Sequence, residues 1–278
     1  MTKNRLRTRF RLPVPGFFLL LLAVGAGFAS EIPPDRGTVK GCIELAGQTT
    51  YRGVVSLWPA GDGKDPDPRR AIRPPLISRP LGDDGCFALQ ADPGQYFVGA
   101  VVRRSEGGWQ GPPRLGDRVF LTPDAAGGQV KVSLQPGEIV NIGRHASGWT
   151  YAGFTAPPSA LHITGTLTDA DSKPMAGLLV FAFTDSAMSK EPLAASEPSD
   201  SNGHYLLRLP EPATVYLRVR ECYGRKSPLE GGYMGVYGGT TPQPVVVGSD
   251  GDGQPRDVEV FLLPPQRDLR NRTQSSSP

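Results

Sequence analysis

The chain is short of the residues that metal and nucleophile chemistry needs. Its 278 residues include three histidines, His145, His162 and His204. None stands in H-x-x-E, H-E-x-x-H or a Cys/His cluster. An open zinc centre requires His and carboxylate ligands gathered around one position, so no metallopeptidase-type site is expected. There is no G-x-S-x-G elbow, no P-loop and no C-x-x-C-H, which removes the common routes to an activated serine, a bound nucleotide or attached haem. Patterns such as Gly61-Asp62-Gly63 are turn chemistry. No catalytic residue, metal ligand or cofactor is assigned. A surplus of one charge is also missing. The net charge is +3, and five of the basic residues lie in the first eleven positions. The remainder is nearly balanced, so no nucleic-acid partner is expected.

Long apolar runs are missing too, apart from one near the start. Phe17 to Phe28, containing FFLLLLAV, follows a leader with Lys3, Arg5, Arg7, Arg9 and Arg11 and ends in small residues, Gly27 and Ala29. That order describes a secretory signal peptide over residues 1–29, cut after Ala29. The run is shorter than the roughly 20 residues that span a bilayer, and no later segment is long enough to do so. No Cys follows the run, so lipoprotein processing has no nucleophile. The expected location is periplasmic or extracellular, without a membrane span once the leader is removed. Export permits disulfides. Three cysteines, Cys42, Cys86 and Cys222, allow at most one internal bridge.

What the chain has in excess is Gly (35) and Pro (29). Gly supplies positive φ, and Pro breaks helices and removes a ladder donor. Their spread favours many short strands joined by turns. The two halves also repeat. GTVKGCIEL (Gly37 to Leu45) resembles LHITGTLTD (Leu161 to Asp169), and the strand around Gly53 to Trp58 resembles that around Gly177 to Phe183, both at an offset of 124, as in Gly165 against Gly41. GDDGCFALQ then matches DSNGHYLLRL, and Gln95 onward matches Thr214 onward, at an offset of about 118, as in Gly203 against Gly85. One indel of roughly six residues therefore separates the halves. Each strand alternates as a half-buried strand should. Tyr205, Leu207 and Leu209 are expected inside, as are Val215, Leu217 and Val219. Asp84-Gly85 and Asn202-Gly203 read as turns, and Asp169 to Pro174 as a polar hairpin. Last strands close the halves at Val130 to Leu134 with Ile139 to Ile142, and at Asp257 to Leu263.

This pattern argues for an all-β protein of two tandem antiparallel sandwiches of Greek-key type. The expected division is module 1 at 37–148, a linker at 149–160 where TYAGFTAPPSA loses alternation, module 2 at 161–265 and a polar, disordered tail at 266–278.

The order G-x-V-x-G, G-V-x-V, D-x-x-G-x-F/Y, P-G-x-Y-x-V is carried by Val39 and Gly41, Val54 and Val55, Asp83 to Phe87, and Pro93 to Tyr96. In the second half Gly165, Gly177, Asp200 to Tyr205 and Val215 to Val219 repeat it, with the P-G-x-Y part altered to Glu211-Pro212-Ala213-Thr214. It resembles the carboxypeptidase regulatory-like family, a transthyretin-like (prealbumin-like) sandwich. The resemblance covers about two thirds of the chain after the leader. It implies accessory or binding modules, often in exported bacterial proteins, and brings no catalytic residue.

Binding residues are sought on two surfaces. The Gly-rich segment Tyr223 to Thr240 carries Tyr233, Met234 and Tyr237, and the comparable part of the first half carries Trp109; such rings suit sugars or protein partners. The alternative is that they fold back to seal the sandwich. The second surface is the outward side of Tyr216, Arg218 and Arg220, joined by Arg208 and His204 if those two strands pair. Three Arg on one side would attract a carboxylate or phosphate, unless the face is simply solvated. Cys42 and Cys86 should point outward on their strands, and a bridge is expected if those strands are neighbours, with two unpaired thiols as the alternative. Cys222 has no obvious mate. Asp250, Asp252 and Asp257 depart from EF-hand order and read, like Asp62, Asp65 and Asp67, as loop polarity. Lys and Asn are few after the leader, and no Lys–Asn pair falls on obviously facing strands, against the isopeptide crosslinks that related sandwiches carry. The expected function is non-catalytic scaffolding that docks to an envelope or extracellular protein, with polysaccharide binding as the alternative.

Overall fold

The computed structural model describes residues 35–47, 50–61, 65–104, 110–122, 129–154, 161–223, 232–249 and 253–263. The expected signal peptide at 1–29, Trp109, Asp62, Asp250, Asp252 and the expected tail at 266–278 lie outside the described residues. The protein is all-β, with no helix among the described residues.

The first module contains β1 (Gly37–Ile43), β2 (Gly53–Pro59), β3 (Ile77–Pro80), β4 (Cys86–Ala91), β5 (Gly94–Val102), β6 (Arg118–Leu121), β7 (Lys131–Leu134), β8 (Ile139–His145) and β9 (Trp149–Thr150). One sheet has the order β4-β1-β8; the other has β3-β2-β5-β6-β9, with β7 also paired to β5. The second module contains β10 (His162–Thr168), β11 (Leu179–Phe183), β12 (Ala194–Ala195), β13 (His204–Arg208), β14 (Ala213–Arg220), β15 (Tyr233–Val236), β16 (Val245–Val247) and β17 (Val258–Leu262). It repeats the plan of the first module except for β9, which has no separate counterpart among the described residues. β13-β10-β17 answers β4-β1-β8, β12-β11-β14-β15 answers β3-β2-β5-β6, and β16 pairs β14 as β7 pairs β5. Each module holds one parallel pair, β1 with β8 and β10 with β17, in otherwise antiparallel sheets. A further antiparallel pairing, β15 with β17, joins the two sheets of the second module.

The repeated glycines have a physical cause. Gly85 and Gly203 both adopt φ of 78°, and a side chain there would strike the carbonyl of Ile43 or Leu167 across the turn. Gly41 and Gly165 lie where the closing segment passes closely over the first strand: a Cβ on Gly165 would fall 2.2 Å from the Arg256 carbonyl oxygen.

Alternation places the cores. Val39, Leu57, Leu89, Val98 and Leu134 fill the first sandwich, and Ile163, Leu167, Leu207, Val215, Leu217 and Val219 fill the second. Burying such side chains contributes roughly 1.5–3 kcal/mol each.

The first residues of the expected linker, 149–160, are strand. Trp149 and Thr150 form β9, which pairs antiparallel with β6. Tyr151 follows and is 1% exposed, packed on Val54, Val101 and Val119 over the outer side of the β2–β5–β6 sheet. Trp149 and Tyr151 pack on module 1, whereas Phe154 packs with the Leu179–Phe181–Phe183 cluster of the second module.

The indel is the join between the modules. The β2–β3 connection, residues 60–76, is longer than the β11–β12 connection, residues 184–193, and its described part reaches the second module. The Ala195 N–H donates to the Ile72 carbonyl at 2.8 Å, forming a β-bridge. The Ile72 side chain packs with Leu179, Phe181, Phe183 and Met188. Nearby, Arg208 Nη1 donates to the Arg69 carbonyl at 3.0 Å, and its guanidinium stacks on Phe154 at 4.3 Å. All the described residues belong to one compact unit, Ile32–Pro278.

Candidate functional site

The outer face of the β11–β14–β15–β17 sheet collects the site. On β14 the inward residues are Val215, Leu217 and Val219, each fully buried. Period-2 alternation then turns Tyr216, Arg218 and Arg220 outward. Register places Arg220 opposite Leu179 on β11 and opposite Met234 on β15. Met234 in turn lies opposite Phe261 on β17. One row across four strands therefore reads Leu179, Arg220, Met234, Phe261. In the next row Arg218 lies between Phe181 and Val236.

Cover over this face is uneven. Leu179, Phe181 and Phe183 are buried under Ile72, Met188 and Tyr223, and Tyr216 and Val236 are partly buried against the same cluster. At the β17 side the cover ends, and Phe261 is 47% exposed. Arg218 spans the transition: its guanidinium stands over Phe183 at 5.4 Å and Nη1 donates to the Met188 carbonyl at 3.4 Å. Burial holds the Arg218 pKa below the usual guanidinium value, and the positive charge of Arg220 lowers it further, with Asp185 opposing. Burial lowers Arg220 as well. Two like charges thus sit two residues apart on one strand, half out of water, beside an apolar row.

The expected site residues divide here. Tyr216, Arg218, Arg220 and Met234 come together. Arg208 and His204 do not join them, because β13 pairs with β10 in the opposing sheet and never with β14. Consecutive strands of a sandwich commonly lie in different sheets, so adjacency in sequence did not mean pairing. Tyr233 and Tyr237 turn inward against the second core; the Tyr237 hydroxyl accepts from Arg256 Nη1 at 3.2 Å, with that guanidinium over its ring. Phe261 was missed, although its place after Val258 and Val260 marks it as outward.

Cys42 and Cys86 are register partners on β1 and β4 and are joined as a disulfide. Cys222 is unbridged and partly buried; burial and the Glu221 charge raise its pKa, which keeps it a thiol rather than a nucleophilic thiolate. Asp257 accepts from the Thr166 N–H at 2.7 Å and Asp67 pairs with Arg69, so both carboxylates act structurally. Among the described residues no group of three His, Cys, Asp or Glu side chains is placed to hold a metal. Lys40 and Asn141 are register partners across β1 and β8, a Lys–Asn juxtaposition the strand pattern did not foresee. Both are solvent-exposed, and Asn141 Oδ1 accepts from the Gly143 N–H.

A second depression lies between Trp58, Pro66, Ile72, Val119, Leu121 and Tyr223. Its volume of about 40 Å³ has room for a few waters only. Beside it Arg103 and Asp117, each 1% exposed in the side chain, pair at 2.7 Å. Asp117 also accepts from the Arg104 and Arg114 N–H groups, and Arg103 donates to the carbonyls of Gly111 and Pro112. This network ties together the two stems of the loop that contains Trp109.

Fold and site together define an all-β tandem-sandwich protein with one mixed cationic and apolar sheet face. No family model matches the chain, and no curated protein matches it. Similar solved structures include the Bacillus anthracis TIE protein, at 9% identity and a TM-score of 0.24 over 81% of this chain and 34% of that one. A streptococcal ancillary pilin is similar at 14% identity and 0.24, covering 84% and 63%. A DUF3823 family protein from Parabacteroides merdae is similar at 14% and 0.23, covering 83% and 100%. The chain thus spans about a third of the first and under two thirds of the second. Likenesses this distant carry no functional argument.

Proposed function

We propose that the chain is an exported, non-catalytic scaffolding protein of the cell envelope, built from two carboxypeptidase regulatory-like modules, that docks another envelope protein. The observation that carries this reading is the convergence of Arg218, Arg220, Met234 and Phe261 on one sheet face whose cover by Ile72, Met188 and Tyr223 stops short of Phe261. Aromatic, Met and Arg side chains are the types enriched at protein interfaces. The Cys42–Cys86 bridge suits an oxidising compartment. Polysaccharide binding loses two of its residues, since Tyr233 and Tyr237 are committed to the core side, and it would rest on Trp109 alone.

The test is chemical crosslinking of the native protein in its envelope, with the linked peptides mapped. A reproducible partner linked to the β14–β17 side is the expected result. Monomer in every fraction would overturn the reading.

A further inference from the structure

We propose that the Cys42–Cys86 bridge is a thiol-exchange site, at which a thiol is captured on Cys86, Cys42 leaves, and the first module stays folded.

The internal repeat supplies the comparison. β1 and β4 pair with Gly41 opposite Phe87 and Cys42 opposite Cys86. β10 and β13 pair in the same register, with Gly165 opposite Tyr205 and Thr166 opposite His204. The same turn closes both pairs: the Gly85 and Gly203 carbonyls accept from the Ile43 and Leu167 N–H groups, each at 2.9 Å. The second module thus builds this strand pair around a Thr and a His, without a bridge. The bridge adds stability by constraining the unfolded chain, but register and turn already specify the pairing.

Position decides which sulfur reacts. Alternation turns Gly41, Ile43 and Phe87 into the core, and Cys42 and Cys86, both partly exposed, to the outer face. A thiolate displaces one sulfur from another along the line of the S–S bond, so access beyond the attacked sulfur controls the reaction. The bridge spans from β1 to β4, and β4 is the edge strand in the order β4-β1-β8. The line from Cys42 through Cys86 therefore leaves the sheet. In the other direction it meets Arg144 on β8, the register partner of Cys42. The Arg144 guanidinium is paired with Glu44, and this ion pair covers the approach to Cys42.

Exchange at Cys86 opens no backbone bond. The Cys86 N–H donates to Asp84 Oδ1 at 2.9 Å, its carbonyl accepts from the Gly82 N–H at 2.8 Å, and neither involves the sulfur. In the step itself the incoming thiolate sulfur bonds to Cys86 Sγ and the Sγ–Sγ bond breaks. Its electron pair leaves on Cys42 as a thiolate, which takes a proton from water; no other oxidant or reductant is consumed. Return attack by Cys42 expels the thiol and restores the bridge.

The probe is cysteamine, given as a short pulse to the full chain carrying Cys222→Ser and quenched with excess iodoacetamide to trap the freed thiol. Peptide mapping by mass spectrometry should find cysteamine on Cys86 and the carbamidomethyl group on Cys42, in native buffer. Hydrogen exchange should show the β1 and β4 amides still protected in that adduct. Arg144→Ala alters an exposed side chain and removes the cover on the β8 side, so it should divide the cysteamine between the two cysteines. A thioredoxin-type protein with a single cysteine, used in place of cysteamine, separates the sources of the thiol. Its capture on Cys86 admits a protein partner, and its failure beside successful cysteamine capture restricts the site to small thiols. Cysteamine on Cys42 with the Arg144–Glu44 pair intact, exchange that requires denaturant, an unchanged pattern in Arg144→Ala, or loss of amide protection in β1 and β4 would overturn the proposal.

Discussion

Ile72 of the first module and Ala195 of the second form a β-bridge, with the Ala195 N–H donating to the Ile72 carbonyl at 2.8 Å. The side chain of Ile72 is 2% exposed and packs on the outer side of the second module's sheet. The two sandwiches should therefore unfold as a unit. Ile72→Ala removes three buried carbons and is expected to cost roughly 2–5 kcal/mol. Scanning calorimetry should show one transition for the wild type and two for Ile72→Ala combined with Arg208→Ala, because the latter also removes the contact to Arg69.

The Arg103–Asp117 pair is enclosed and cross-linked to backbone on both sides. Asp117→Ala leaves a buried guanidinium without its counter-charge, and the expected loss is about 3–5 kcal/mol. Replacing both partners by apolar residues of similar size should cost less than either single change. Denaturant midpoints for the three variants decide this.

Much of the fold could be read from residues alone because the governing signals are local. Gly41 with Gly165, and Gly85 with Gly203, mark the same close approaches in both modules. Val215, Leu217 and Val219 alternate into the core as expected. The site was only partly legible, because pairing of strands is not local. Nothing in HYLLR and ATVYLRVR says that β13 and β14 belong to opposing sheets. Likewise the choice between Tyr233 and Met234 as the outward residue depends on which of them faces Arg220 across the sheet. The strap around Ile72 lies in a proline-rich segment with no period to read, and only the six-residue change of offset announced it.

Acid should weaken the hairpin turns. The Asp200 carboxylate accepts from the N–H groups of Asn202 and His204, and the His204 hydrogen bond is the first cause holding its pKa below 3.8. Asp185 is lowered chiefly by the Ser189 N–H. A carboxyl depressed in the folded state binds its proton less readily than in the unfolded chain. Its stabilisation is complete above the ordinary value of 3.8 and is lost as pH falls through the depressed folded value. Asp200→Asn keeps an acceptor and removes the titration, so its stability should decline less than that of the wild type below pH 3.8. Urea midpoints across that range measure the difference.

The cysteines should behave unequally. Intact mass is expected to lie two hydrogens below that of the reduced chain, from the Cys42–Cys86 bridge. Under native conditions alkylation should be slow and confined to Cys222, whose thiol is pushed up by burial. Cys42→Ser opens a loop of 44 residues and should cost on the order of 2–4 kcal/mol. Mass spectrometry before and after reduction, with thermal melts of the variant, tests both statements.

The most direct measurement is a photo-crosslinker placed at Phe261, 47% exposed, and, for comparison, at Val246, 66% exposed and paired to the opposite end of β14 at Thr214, in the protein within its own envelope. The account predicts a defined protein adduct from the Phe261 position, lost when Arg218→Gln and Arg220→Gln are introduced in the same chain, and none from Val246. Equal adducts at both positions, or none at Phe261, would contradict it.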